Sequence, residues 1–236
     1  MIRLITLDAF NTLLTVRGSV GQIYSKTAKQ HGLCINPMLL DSQYKKIYKN
    51  YYKKYPNFGV QNNISTQCFW HKIVHTTFKN SGCEDDDLIS NIASSLYQDF
   101  RLPENWQLFD DVHPVLDLLK NTGYKLGVVS NFDERLPAIL QGLDVLKYFS
   151  FVLCSTEVKV AKPSPKIFQL ALQHGEVKAY QALHVGDSVV KDYNAAKAIG
   201  MKAYVIDRFF NFTLEDNSVV DPNHVITSLK PLHVLH

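Results

Sequence analysis

Five polar residues stand at the ends of apolar runs, which is where an enzyme would keep its reactive groups. Asp8 closes "LITL", Ser130 and Asn131 close "KLGVVS", Lys162 follows "FVLC", and Asp187 follows "ALHVG". A carboxylate, a hydroxyl, an ammonium and a second carboxylate each have a task if the substrate is an anionic phosphate ester. Asp8 can attack phosphorus and form an aspartyl-phosphate, splitting one hard displacement into two easier ones. Two anions repel, so the attack needs neutralising charge: Lys162 as a fixed cation, and Mg²⁺ held by Asp8 and Asp187. Mg²⁺ prefers a few oxygen ligands plus waters in octahedral array, which a carboxylate pair and one main-chain carbonyl satisfy. Ser130, Asn131 and nearby backbone amides would hold the remaining phosphoryl oxygens.

Residues this far apart in sequence meet only if the strands bearing them lie side by side. Short apolar, β-branched runs recur at 125–130, 151–154, 182–186 and 202–206. Between them lie helix-period segments such as "DVHPVLDLLKNTG", "ERLPAILQGL", "SPKIFQLALQHG" and "VKDYNAAKAIG", several closing on a glycine that accepts a left-handed helix end. Continuous apolar strands alternating with amphipathic helices predict an α/β fold, a doubly wound parallel sheet covered on both faces. In such sheets ligands bind beyond the carboxyl ends of the strands, where the winding reverses. Residues 15–105 read differently, as consecutive helices without a strand and rich in Tyr, Lys and Asn. The expected division is therefore a core of 1–14 and 106–236 with a helical insertion at 15–105. The tail from Phe209 onward reads as loop, a short strand at "HVI" and a last helical turn.

Bulk properties bound the partners. The chain has 236 residues with 25 basic and 22 acidic side chains, too balanced for nucleic acid or an acidic membrane surface to be the main partner. No run approaches the ~20 apolar residues that span a bilayer, and no leader pattern opens the chain, so the expected setting is intracellular, cytoplasmic with the nucleus open. Cys34, Cys68, Cys83 and Cys154 lack C-x-x-C spacing and read as reduced structural thiols rather than zinc ligands or disulfides. In that setting the sequon at Asn211 stays unglycosylated.

Four segments in order, "LDAFNTLL", "VVSNFD", "VAKPSPKIF" and "HVGDSVVKD", resemble the signature segments of the haloacid dehalogenase (HAD) superfamily of hydrolases. The resemblance covers the core, and the insertion sits where that family often places a helical cap on its Rossmann-like domain. It implies Asp8 as nucleophile, Ser130 as phosphate or leaving-group binder, Lys162 as charge neutraliser, and Asp187 with Asp192 as the metal-side carboxylates. Phosphatases of this kind carry a second aspartate two residues after the nucleophile, as general acid and base. Here that position is Phe10, which moves no proton, and losing such a group removes about 10² to 10⁴ in rate. The metal loses less, because the family uses that residue's backbone carbonyl, which Phe10 keeps. Asn11 replaces the usual glycine and tolerates positive φ.

An aromatic at Phe10 also resembles the true dehalogenases, whose leaving halide needs no proton. Three features oppose that reading. "GDSVVKD" is the acidic, metal-binding form of the fourth segment. Phe168 stands where dehalogenases have tyrosine, and Arg17 is the only arginine between Arg3 and Arg101, leaving no obvious clamp for a substrate carboxylate. The expectation is a Mg²⁺-dependent site for a phosphorylated small molecule, with weak turnover or good leaving groups only. A metal-independent dehalogenase and a catalytically silent binding protein are the rivals.

Other features read as structural. "QYKKIYKNYYKKYPNFG" carries tyrosines and lysines on separate stripes; it could stack on a nucleotide or RNA, but an amphipathic helix with packed tyrosines and solvated lysines is favoured. His71 and His75 have metal-pair spacing without a third ligand or the glutamate of a zinc hydrolase. "EDDD" at 84–87 suits a helix start.

Overall fold

Leu4–Leu7 (β1) is wholly shielded from solvent, Thr6 included, because it is the middle of a six-stranded sheet covered on both faces. The computed structural model describes residues 1–213 and 220–234 and divides into two units, Met1–Thr15 with Leu108–His236 and Val16–Gln107.

The first unit holds the sheet. After β1 come Leu14–Val16 (β2) and Trp106–Leu108 (β3), which pair as a separate two-stranded sheet where the chain passes between units. Three-residue strands are too short to show a period, so the sequence reading of 15–105 contains none. Lys125–Ser130 (β4), Phe151–Cys154 (β5), Ala182–Gly186 (β6), Lys202–Ile206 (β7) and Val225–Ile226 (β8) complete the main sheet in the order β5-β4-β1-β6-β7-β8. Every pairing in it is parallel. The chain winds outward from β1 through β4 and β5, then crosses back to β6 on the other side of β1. That reversal opens a crevice at the carboxyl end of β1.

Register makes the strand ends coincide. Leu7 lies opposite Val128 on one side and Val185 on the other, so Asp8 emerges beside the ends of both neighbours. The helix Pro165–Gly175 starts on Ser164, whose hydroxyl accepts from the Lys166 N–H, with proline at its first position. Its buried face, Ile167, Phe168 and Ala171, joins Leu4, Val129 and Val205 in the core. The segment "VKDYNAAKAIG" departs from the expected single helix: Val189–Asn194 forms a wider π-type turn, and Ala195–Ala198 is one short α-helical turn. Such widenings recur at functional sites, and this one carries Asp192. The tail has the short strand β8 and a final 3₁₀ turn at Lys230–Val234; the parts of the expected loop at 214–219 lie outside the described residues.

The second unit is four helices, Val20–Gln30 (α1), Pro37–Lys54 (α2), Thr66–Asn80 (α3) and Asp86–Asp99 (α4). Each is capped by a polar residue: Ser19 with Gln22 as a reciprocal capping box, Asn36, Ser65 and Asp85. Tyr24 stacks on Phe78 at 5.9 Å in one core cluster. Tyr44, Tyr48, Tyr51, Tyr52 and Tyr55 gather around Ile47, Phe58, Phe69 and Trp70 in another, so the tyrosine stripe is packing surface. His71 meets the Ser90 hydroxyl and His75 pairs with Asp86.

Candidate active site

Asp8 is fixed at both ends. Its N–H donates to the Val185 carbonyl at 2.8 Å, and its Oδ1 accepts from Lys162 Nζ at 2.6 Å. The same ammonium donates to Asp192 Oδ1 at 2.5 Å, so one buried lysine joins two buried carboxylates brought from β1 and the turn after β6. Burial opposes the charge on Lys162, yet Asp192 and Asp8 hold its pKa above the ordinary lysine range. For Asp8, desolvation is the larger influence: its pKa is raised although Lys162 opposes this, with the Asp192 charge reinforcing the rise and the Ser130 hydroxyl moderating it. Ser130 is itself buried at the end of β4.

Asn131 has a job that the sequence does not reveal. Its Nδ2 donates to the Lys162 carbonyl at 2.9 Å and its Oδ1 accepts from the Lys162 N–H at 2.7 Å. This reciprocal clamp ties the loop bearing Lys162 to the end of β4. The side-chain amide expected to touch substrate is thus occupied in positioning the lysine.

Behind Asp192 stands His184, a residue that the chemical reading of the sequence passes over. An ionised carboxylate only accepts, so His184 Nε2 must carry the proton it shares with Asp192 Oδ1 at 2.9 Å. Nδ1 is then an acceptor, and the Thr6 hydroxyl donates to it at 2.8 Å. Burial keeps the His184 pKa below its usual value, hence the ring neutral. Burial alone would raise Asp192, but Lys162 and His184 bring it far below the usual carboxylate range. Its Oδ2 accepts from the Ser188 N–H. Gly186 permits this folding back: a Cβ there would lie 2.2 Å from Asp192 Cγ. The available signal was a histidine and a threonine inside strands that otherwise read as buried and apolar, since buried polar groups are paired.

Asp187 lies at the solvent rim and accepts from Asn11 Nδ2 at 3.3 Å. Asn11 takes the expected left-handed conformation, with φ of 57°. Desolvation first, then the charges of Asp8 and Asp192, push Asp187 up to about 7. One oxygen from each of Asp8, Asp187 and Asp192 lies within 4.8 Å of the others. Three carboxylates against one ammonium form a hard, oxygen-only donor set with excess negative charge, which fits a divalent cation of the Mg²⁺ kind. Asp192 is the least available of the three, because Lys162, His184 and Ser188 already occupy its oxygens.

The raised Asp187 value has a signed consequence. Its folded pKa of about 7 exceeds the ordinary 3.8, so without a cation the fold loses stability as pH rises between those values. A cation bound to the ionised group restores it. If Asp187 holds a cation, protons compete with it, and Mg²⁺ affinity is expected to weaken as pH falls through about 7, approaching about tenfold per pH unit. Calorimetric Mg²⁺ titration at about pH 6 and about pH 8 reads this; equal affinities would remove Asp187 from the cation site.

Comparison with known proteins agrees with the arrangement of strands. A family model described as haloacid dehalogenase-like hydrolase matches residues 2–200. The haloacid dehalogenase-like hydrolase domain-containing protein 3 of Xenopus laevis is 40% identical over 231 residues, covering 98% of this chain and 94% of the relative. Among solved structures, a 2-haloacid dehalogenase from Pseudomonas syringae pv. Tomato superposes with a TM-score of 0.67 at 24% identity, covering 98% of this chain and 96% of that one. A HAD phosphatase from Thermococcus onnurineus gives 0.63 at 22% identity with the same coverage of 98% and 96%. The putative HAD-hydrolase YfnB from Bacillus subtilis, bound to magnesium, gives 0.71 at 16% identity, covering 98% and 97%. At such identities the structures speak for the fold alone, whereas the family model and the near full-length relative go further: this chain belongs to the haloacid dehalogenase-like hydrolase family.

Proposed function

We propose that the chain is a Mg²⁺-dependent phosphohydrolase that uses Asp8 as nucleophile on a phosphorylated small molecule. The observation that carries this reading is the Lys162 ammonium bridging Asp8 and Asp192 with a third carboxylate, Asp187, beside them. Asp8, Asp187, Asp192 and the main-chain carbonyl of Phe10 would hold the metal, whose chemistry when bound is to neutralise and polarise the phosphoryl oxygens. The remaining work falls to the chain. Lys162 fixes the orientation of the Asp8 carboxylate and offsets its charge, and the Ser130 hydroxyl, which donates to Asp8, would turn to a phosphoryl oxygen when substrate binds. Asp8 attacks phosphorus as the ester P–O bond breaks, and the alcohol oxygen leaves with the bonding pair. Water then attacks the phosphoaspartate at phosphorus and regenerates the carboxylate. The helical unit, Val16–Gln107, would serve as cap, and the four free thiols suit an intracellular setting.

The dehalogenase alternative finds little support in the side chains. Arg17 donates to the main-chain carbonyls of Glu104 and Trp106 at 3.0 and 3.2 Å, so its guanidinium is engaged away from any substrate carboxylate. Phe168 is buried edge-on against His184, with ring centroids 4.9 Å apart.

The protein should bind Mg²⁺ and beryllofluoride, a phosphate mimic, and release phosphate only with metal present. Halide release from 2-haloacids without metal would replace this reading with the dehalogenase, and absence of both activities would leave a binding protein. Phe10, about 39% exposed, can accept substitution without a large packing loss. Phe10→Asp is expected to raise kcat for alkyl phosphomonoesters by about 10² or more, since a positioned acid is worth about 10² to 10⁴. An unchanged kcat would mean that proton transfer to the leaving group is not what limits turnover.

A further inference from the structure

The turn that follows Asp8 carries the Phe10 carbonyl and the Asn11 amide. Part of it is closed by its own backbone: the Ala9 carbonyl accepts from the Leu13 and Leu14 N–H groups at 2.9 and 3.0 Å, and the Asn11 N–H donates to the Leu14 carbonyl at 2.7 Å. Arg208, just beyond β7, holds the same turn from outside. Its Nε and Nη2 both donate to the Thr12 carbonyl, at 3.2 and 2.7 Å. Its Nη1 donates to the two oxygens of Asp111, each at 2.8 Å, and the guanidinium carbon lies 4.3 Å from the centre of the Phe109 ring. Asp111 Oδ2 also accepts from the Leu229 N–H at 2.5 Å, and the Phe109 N–H donates to the Leu13 carbonyl at 3.1 Å. One guanidinium thus joins the turn after β1 to the segment 109–111 and, through Asp111, to the chain at Leu229.

The side chains of Arg208 and Asp111 are 4% and 6% exposed. A buried ion pair is weak evidence for stability, because desolvation consumes most of the attraction. What such a pair does supply is direction. The guanidinium is a rigid plane with donors on two edges: one edge takes its bearing from Asp111, which directly precedes the helix Val112–Asn121, and the other fixes the Thr12 carbonyl. Thr12 follows Asn11, whose side-chain amide donates to Asp187 at 3.3 Å. A shift of Thr12 therefore moves both Asn11 and the Phe10 carbonyl.

We propose that Arg208 is a positioning residue for the metal side of the site: by gripping the Thr12 carbonyl it sets the turn that aims the Phe10 carbonyl and steadies Asp187 through Asn11. It acts through the backbone and on no reacting atom. The consequence for the metal deepens the phosphohydrolase reading and rests on it, whereas the hold on the turn stands on the hydrogen bonds alone.

The test is Arg208→Lys in the full chain, which keeps a positive charge beside Asp111 but loses the planar fork that serves two partners at once. Amide hydrogen exchange without metal should show the Asn11, Leu13 and Leu14 N–H groups exchanging at least about tenfold faster than in the parent, with those of Leu4–Leu7 in β1 unchanged. Calorimetric titration should show Mg²⁺ bound at least about tenfold more weakly. Equal acceleration in the turn and in β1 would mean a general loosening of the fold and would overturn the proposal, as would unchanged exchange in the turn. A loosened turn with undiminished Mg²⁺ affinity would overturn the positioning role and leave the phosphohydrolase standing. If the parent itself binds no Mg²⁺, the phosphohydrolase reading falls, and exchange alone decides whether Arg208 holds the turn. Should Arg208→Lys fail to fold, Phe109→Leu takes the ring from beside the guanidinium while leaving Asp111 in place; at least about threefold is then expected in both measurements, and no change in either overturns the proposal.

Discussion

Lys162→Met is expected to cost the fold about 3–5 kcal/mol at neutral pH, because it strips the counter-charge from two buried carboxylates at once. The Lys162 side chain is 2% exposed, and its contacts with Asp8 and Asp192 are 2.6 and 2.5 Å. Methionine fills similar volume, so the loss is electrostatic rather than a cavity. Without the ammonium both carboxyls resist ionisation in the fold, while in the unfolded chain they titrate at about 3.9. A folded pKa above the unfolded one gives stability that is present in acid and lost as pH rises. The variant should therefore approach the parent near about pH 5 and fall furthest behind it near about pH 8, as read by urea unfolding at both. A deficit of the same size at the two pH values would mean that the lysine acts by packing alone.

Asp8→Asn is the complementary case, with activity destroyed and the fold kept. Phosphate release should drop by at least about four orders of magnitude, as expected when a nucleophile that acts with its neighbours as a unit is removed. Lys162 retains Asp192, so no buried charge is left alone. Asp8 is the largest charge contribution to the raised Asp187 value, after burial itself, and its removal should bring Asp187 back toward the ordinary carboxylate range. Because the folded pKa of Asp8 is itself raised, the parent carries a penalty that grows with pH, and the variant should match or exceed it in stability in mild alkali. Retention of a tenth or more of the parental rate would show that some other group attacks phosphorus.

The strands could be read directly because β1, β4 and β6 are shielded on both faces and so carry nearly unbroken apolar sequence. Polar residues that stop such strands advertise the site, which is how Asp8, Ser130, Lys162 and Asp187 are recognisable from type and position. The turn at Asn11 was equally legible, since few residues accept its φ of 57°. Short elements escaped: β2 and β3 are three residues each, and the π-type turn at Val189–Asn194 has the composition of an ordinary helix.

By itself the sequence determined the sheet-and-helix class of the chain, the helical segment inside it and the residues with reactive side chains, because periodicity and chemistry are local properties. Only the tertiary structure decided what those side chains are bonded to. Thr6 and His184 lie opposite one another in neighbouring strands although 178 positions separate them, and Asn131 reaches the main chain of Lys162 across 31. Such partnerships depend on parallel register and on the missing Cβ of Gly186. The glycine itself is visible in the sequence but not what its missing Cβ makes room for, and register and gap together set which carboxylate Lys162 and His184 reach.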